Sequence, residues 1–243
     1  MTTAEPRDLV DRLTIATPFP LRPAAIFVAV GGSHAYGTAR EGSDVDVRAV
    51  VIPPASFTLG LDQFDAIATP EGAATDEHVY SLRRFVRLAV NASVPILEML
   101  FAPDDCVAET SAVFETIRSA RRSFLSKRLY DSAGGYAFST ALRAFQGKVH
   151  KGREYLLEQH GYDSKAVHHA VRLWRMGAEA LRDGDLTVRR PDAAELLAIR
   201  DGAIAHADVA RFEGRELVGG FLADERDRFE AGVPRVEAAG CAG

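Results

Sequence analysis

Cysteine is scarce in this 243-residue chain. Only Cys106 and Cys241 occur, far apart, and Cys241 stands in a Gly/Ala-rich tail. That excludes a disulfide framework and a thiolate zinc site, and it suits a reducing cytoplasm. No run of about 18 apolar residues exists, so no membrane helix is expected. The first residues, MTTAEPRDLVDRL, lack a basic segment followed by an apolar one, so export is not expected. Excess positive charge is also missing. The net charge of -5 excludes indiscriminate nucleic-acid binding over the whole surface, though not a local basic cleft. Internal repeats and low-complexity segments are absent. The 47% hydrophobic and 26% charged residues are those of an ordinary globular protein with one large domain or two small ones.

The chain does contain Gly32-Ser33-His34-Ala35-Tyr36-Gly37, followed by Ser43-Asp44-Val45-Asp46-Val47. A buried run, Ile26 to Val30, leads into Gly31-Gly32-Ser33, and ten residues separate Ser33 from Asp44. The local order is strand, Gly-Ser turn, short connection, second strand. Glycine lets backbone N–H groups come close to a phosphate, and serine adds a hydroxyl donor. Alternation along the second strand puts Asp44, Asp46 and Arg48 on one face, with Val45, Val47 and Ala49 on the other. Carboxylates side by side repel unless a cation lies between them, and hard oxygen donors suit Mg²⁺ or Mn²⁺. Either fragment alone is commonly a plain turn or a polar strand edge. In this order and spacing they point to a metal-dependent enzyme that holds a nucleoside triphosphate.

Residues 1–105 read as mixed α/β, with a helix from Tyr80 to Asn91 and a second from Pro95 to Phe101. Arg83, Arg84 and Arg87 fall on that first helix's solvent face. Ala102 to Asp105 is a plausible junction, and residues 106–243 read as helical. Helices are expected from Gly134 to His160, from Asp163 to about Arg182, from Ala193 to Arg200 and from Ala205 to Phe229, with a frayed tail. On the helix from Asp163, Lys165, His168, Arg172 and Arg175 share one face, opposite Val167, Val171 and Trp174. Such a face suits phosphate oxygens, but solvated basic faces are common. Adjacent His168 and His169 diverge by about 100° on a helix, which argues against zinc.

The turn, spacer and carboxylate pair resemble the signature of the DNA polymerase beta-like nucleotidyltransferase superfamily. GSHAYGTAREGSDVDVRAV, DEHVYSLRRFVRLAVNASVPILEML and GYDSKAVHHAVRLWRMG are similar to three blocks of its RNA-ligase-associated nucleotidyltransferase family. The resemblance implies an α/β (α+β) fold: a polymerase-beta-like core with a mixed sheet, then an all-helical C-terminal region. The catalytic domain would be 1–105, and the helical domain 106–243 would complete the cleft. It implies an enzyme that transfers a nucleoside monophosphate from an NTP such as ATP, with Mg²⁺ or Mn²⁺, to an acceptor hydroxyl. An RNA end is the acceptor it suggests, in repair beside an RNA ligase. A protein or small-molecule acceptor, and a non-catalytic binding module, remain as alternatives.

Asp44 and Asp46 are the metal ligands this implies, and Asp76 the third carboxylate. Glu77 competes with Asp76, because a one-residue slip exchanges the faces. Gly32, Ser33 and Tyr36 from the first block, and Lys165, His169 and Arg172 from the third, are the implied nucleotide-binding set. Two positions depart from the pattern. Val94 stands before Pro95 where asparagine is usual, and His78 stands where an acid often occurs. The oligomeric state is left open.

Overall fold

The computed structural model describes residues 13–70, 73, 75–146, 152–213 and 216–232. Cys241 and the tail expected to fray lie outside them. The chain divides into two compact units. One takes the residues up to Phe124 together with Thr187–Ala193, and the other takes Leu125–Leu186 and the residues from Ala194 on.

The first unit is built on a five-stranded mixed sheet. Its elements are β1 (Ala25–Val30), α1 (Gly32–Tyr36), β2 (Asp46–Val51), β3 (Ala66–Ala68), β4 (Asp76–Ser81), α2 (Leu82–Val90), α3 (Val94–Leu100), β5 (Val107–Thr110) and α4 (Ala112–Ser119). The strand order is β3-β4-β2-β1-β5, and only β2 and β4 run parallel. β1 is an interior strand between β2 and β5, and its middle is buried on both faces, which is why it reads as an unbroken apolar run. On one face Val28, Val47, Ala49, Val51 and Val79 pack under Phe19 and Phe64. On the other, Phe27 stacks on Phe114 at 4.0 Å, and Phe85 closes on Phe114 at 5.5 Å.

Local chemistry sets the helix ends. Ser81 caps α2, its hydroxyl accepting from Arg84 N, and Phe85 and Ala89 make the buried stripe. Arg83 and Arg87 are exposed. Pro95 lies in the first turn of α3, where its missing N–H costs nothing. The unit boundary follows Phe124 rather than the turn at 102–105. β5 returns to pair with β1, and α4 delivers Phe114 to the sheet, so these residues cannot leave this core.

The second unit is mainly helical: α5 (Arg128–Ala144), α6 (Glu154–His160), α7 (Ser164–Asp183), α8 (Ala193–Arg200) and α9 (Phe221–Gly232). Asp163 caps α7 by accepting from Ala166 N, and Gly161 ends α6 in the left-handed region. Two expected helices are corrected. The segment expected to be helical from Gly134 to His160 lies in α5 and α6, with residues 147–151 outside those described. The helix expected from Ala205 to Phe229 is a short turn, His206–Val209, then a hairpin of β6 (Arg211–Glu213) and β7 (Glu216–Gly219), then α9. Gly220 lies at φ 85° between β7 and α9, and a side chain there would meet Ala210 backbone atoms at 2.9 Å, so a continuous helix is impossible.

α7 is the centre of this unit, and its basic face is covered rather than solvated. His168 is buried and its Nδ1 lies 2.8 Å from Leu196 O. Arg175 forms ion pairs at 2.8 Å with Glu195 and with the buried Glu225. Arg172 is only 1% exposed. Periodicity showed which residues share a face but not what covers that face. No described helix is long and apolar enough to cross a membrane.

Candidate active site

The site grows from the turn between β1 and α1 and from the first residues of β2 and β4. Gly31 N donates to Asp46 O at 2.8 Å, which ties the turn to the start of β2. Gly32 lies at φ 59°, where an L side chain is strained, and a Cβ built there would overlap the Asp46 carboxylate. The Arg48 stem lies 3.4 Å from where a Gly31 Cβ would be. The paired glycines therefore make room for two side chains two residues apart on β2.

β2 and β4 run parallel with Asp46 opposite Asp76, Arg48 opposite His78 and Val50 opposite Tyr80. These residues share one face. Val47 opposite Glu77 lies on the other. Glu77 is 1% exposed and its carboxylate is fully engaged. It accepts from Thr14 N, Thr14 Oγ1 at 3.0 Å, Ile15 N at 2.8 Å and Thr75 Oγ1 at 2.8 Å. These bonds pin the segment before β1, and they hold the Glu77 carboxyl below its usual range despite burial. Of the two candidate third carboxylates, it is Asp76 that stands beside Asp46.

Arg48 joins the pair. Its Nη2 lies 3.0 Å from Asp76 Oδ2 and 3.4 Å from Asp46 Oδ1. Its Nη1 donates to two backbone carbonyls, Val47 O at 3.2 Å and Asp76 O at 3.0 Å. The guanidinium is thus anchored to the sheet. Burial, then the neighbouring Asp76 carboxyl, pushes Asp46 up to about 6, against the pull of Arg48. Burial also raises Asp76, but the bonds from Arg48 and Asp46 outweigh it, and Asp76 lies below the ordinary range. Below about pH 6 the pair is therefore favoured with one proton, held mainly by Asp46, the weaker acid of the two.

A polar chain continues along β4. His78 Nε2 lies 3.0 Å from Asp76 Oδ1, and Tyr80 Oη lies 3.4 Å from His78 Nδ1. Burial and then Arg48 lower the His78 pKa, so the ring is neutral at neutral pH. Its Nε2–H then donates to Asp76, and its Nδ1 accepts from Tyr80.

Asp44 is exposed and precedes β2, so the strand does not begin early enough to include it. Tyr36 is committed to packing: its hydroxyl donates to Glu98 Oε2 at 2.8 Å, and its carbonyl accepts from Arg190 N. Ser33 is partly exposed at the turn. Two buried polar atoms beside it, His34 Nε2 and Thr38 Oγ1, have no hydrogen-bond partner among the described residues. In the helical unit, Arg172 Nη2 lies 3.3 Å from His169 Nδ1, and the His169 ring meets the Tyr136 ring edge-on at 5.2 Å. Burial, then Arg172, holds the His169 pKa well below its usual value. Lys165 is half-buried on the same helix.

The model of the RNA repair pathway DNA polymerase beta family matches residues 14–191, most of the chain. The chain belongs to that family. This is a family of polymerase-beta-like nucleotidyltransferases. A curated relative, an uncharacterised 38.9 kDa protein from the nrdC-mobD intergenic region of Enterobacteria phage T4, is 28% identical over 113 residues. That match covers 42% of this chain and 34% of the relative, so the chain spans about a third of its length. A solved structure, a nucleotidyltransferase-like protein from Exiguobacterium sibiricum 255-15, aligns at a TM-score of 0.30 and 13% identity. That alignment covers 86% of this chain and 67% of the other.

Asp46 and Asp76 supply two hard carboxylates on one face, beside the Gly31-Gly32 turn. Among the described residues no three acidic, histidine or cysteine groups converge on one point. This donor set fits a divalent cation that takes its remaining ligands from phosphate and water oxygens, as Mg²⁺ commonly does. Several participants escaped sequence reading. Arg48 was placed on the correct face without its bridging role. His78 was seen only as a departure from the family pattern and Tyr80 as the start of a helix, though both lie in β4.

Proposed function

We propose that this protein is a metal-dependent nucleotidyltransferase that transfers a nucleoside monophosphate from an NTP to an acceptor hydroxyl, an RNA end in RNA repair. The observation that carries the reading is the in-register pair of Asp46 and Asp76 beside the Gly31-Gly32 turn. Asp46 and Asp76 would hold Mg²⁺ or Mn²⁺, with exposed Asp44 able to join. Such a cation neutralises phosphate charge and acidifies the attacking hydroxyl. Ser33 and the N–H groups of the turn bind the triphosphate in this reading. The acceptor oxygen bonds to the α-phosphorus as a new phosphodiester, the α–β phosphoanhydride bond breaks, and pyrophosphate leaves. Asp76, kept ionised by Arg48 and oriented by His78, is placed to take the hydroxyl proton. The working place is the cytoplasm, beside an RNA ligase.

The test is transfer of label from each α-³²P-NTP, with Mg²⁺ or Mn²⁺, to RNA of defined ends, total tRNA and cell protein. Label on RNA that disappears in Asp46→Asn and Asp76→Asn is the expected result. Label on protein alone would replace RNA by a protein acceptor. No transfer to any of these acceptors, with NTP bound in the Asp46→Asn variant as in wild type, would sink the RNA reading.

A further inference from the structure

Arg48 has a part that the metal-and-nucleotide reading does not use. It reaches both carboxylates through one nitrogen, Nη2, at 3.4 Å to Asp46 and 3.0 Å to Asp76. Through the other it is fastened to two carbonyls of the sheet, on β2 and β4. Its side chain is 18% exposed, and its Cγ lies 3.4 Å from where a Gly31 Cβ would be. A guanidinium held by four such bonds is not a loose counter-ion. It is a fixed cation built into the carboxylate pair.

We propose that Arg48 is a positioning residue that competes with the divalent cation. It holds the two carboxylates in place and keeps their affinity for free metal low, so that metal enters with the nucleotide. The inference rests on Asp46 and Asp76 being the metal ligands. Ionised, they carry two negative charges, and Arg48 returns one positive charge at hydrogen-bond distance. A dication approaching the pair therefore meets repulsion from a group that cannot deprotonate. Phosphate oxygens of a bound triphosphate would supply the missing negative charge and ligands. The geometry selects for the metal–nucleotide complex over the bare ion, and it prevents the pair from being filled when no substrate is present. A lysine would keep the charge but lose the second nitrogen that fastens the cation to the Val47 and Asp76 carbonyls.

The test is Mn²⁺ binding followed by electron paramagnetic resonance at pH 8, with and without a non-hydrolysable α,β-methylene NTP analogue. Wild type, Arg48→Gln, Arg48→Lys and Asp46→Asn are compared, with circular dichroism as the check on folding. Without nucleotide, Arg48→Gln should bind Mn²⁺ about tenfold more tightly than wild type or better. Arg48→Lys should stay within about twofold of wild type, because the charge remains. With the analogue, the gap between wild type and Arg48→Gln should narrow. Unchanged or weaker binding in Arg48→Gln overturns the proposal. If Arg48→Gln does not fold, the ¹⁵Nε resonance of Arg48 in wild type gives the same answer. Mg²⁺ with analogue must move that resonance, and a resonance that stays in place overturns the idea. No Asp46-dependent Mn²⁺ binding in wild type, even with the analogue present, overturns the metal-dependent nucleotidyl-transfer reading instead.

Discussion

Asp46→Asn should stabilise the metal-free protein at pH 8 while it abolishes transfer. The Asp46 carboxyl titrates at about 6 in the fold, against 3.8 for the free side chain, chiefly because it is buried and faces Asp76. A raised acid contributes stability that is fully present below pH 3.8 and is lost as pH rises through about 6. A difference of this size is worth about 2–3 kcal/mol, the lower figure allowing for the 22% of the side chain left exposed. Asparagine mimics the protonated form, since its Nδ2 can donate to the Asp76 carboxylate as the acid proton does. The variant therefore escapes the loss above pH 6. Thermal unfolding in EDTA should show the variant melting about 5–10 °C above wild type at pH 8, with the gap closing below pH 5. A cation held by the pair would favour the ionised wild type, so Mg²⁺ with nucleotide should raise the wild-type melting temperature and leave that of the variant unchanged. A variant less stable than wild type at pH 8, or a difference that ignores pH, would refute this account of the carboxylate pair.

Gly32→Ala should cost about 1–2 kcal/mol in stability from the left-handed backbone. It should lower kcat on the order of 100-fold or more, because the new methyl displaces the Asp46 carboxylate. Unaltered turnover would show that Asp46 need not stay where it is. Glu77→Gln puts a donor where Thr14, Ile15 and Thr75 already donate, and chemical denaturation should reveal a loss of about 2–4 kcal/mol. The Glu77 contribution is present above the usual carboxylate range and lost as pH falls below it, so the gap to wild type should shrink in acid. Tyr36→Phe removes the bond to Glu98 and should cost about 1 kcal/mol with little change in KM for NTP; a KM raised tenfold would make Tyr36 a substrate contact.

Much of the first unit was legible in the sequence alone. The run from Ile26 to Val30 declared a buried strand. Caps at Asp163 and Gly161 were readable because capping is chemistry between residues a few positions apart. The expected helix through 205–229 failed at Gly220, whose neighbour in space, Ala210, is set by the hairpin rather than by periodicity. The basic face of α7 was visible as a pattern, but its covering of Glu195, Glu225 and Leu196 comes from distant segments.

The sequence by itself determined the order of strand, Gly-Ser turn and carboxylate strand, and the sharing of a face by Asp46 and Arg48. Those are consequences of backbone period and of glycine's freedom, both local. Only the tertiary structure decided that β4 lies parallel to β2 with Asp76 opposite Asp46, which turns Glu77 to the far face. Pairing register links residues 30 positions apart, and a single-residue slip would have exchanged the two acids. It likewise decided that one guanidinium bridges both carboxylates. That contact exists because two strands and a pair of glycines converge there, and no single segment carries the information.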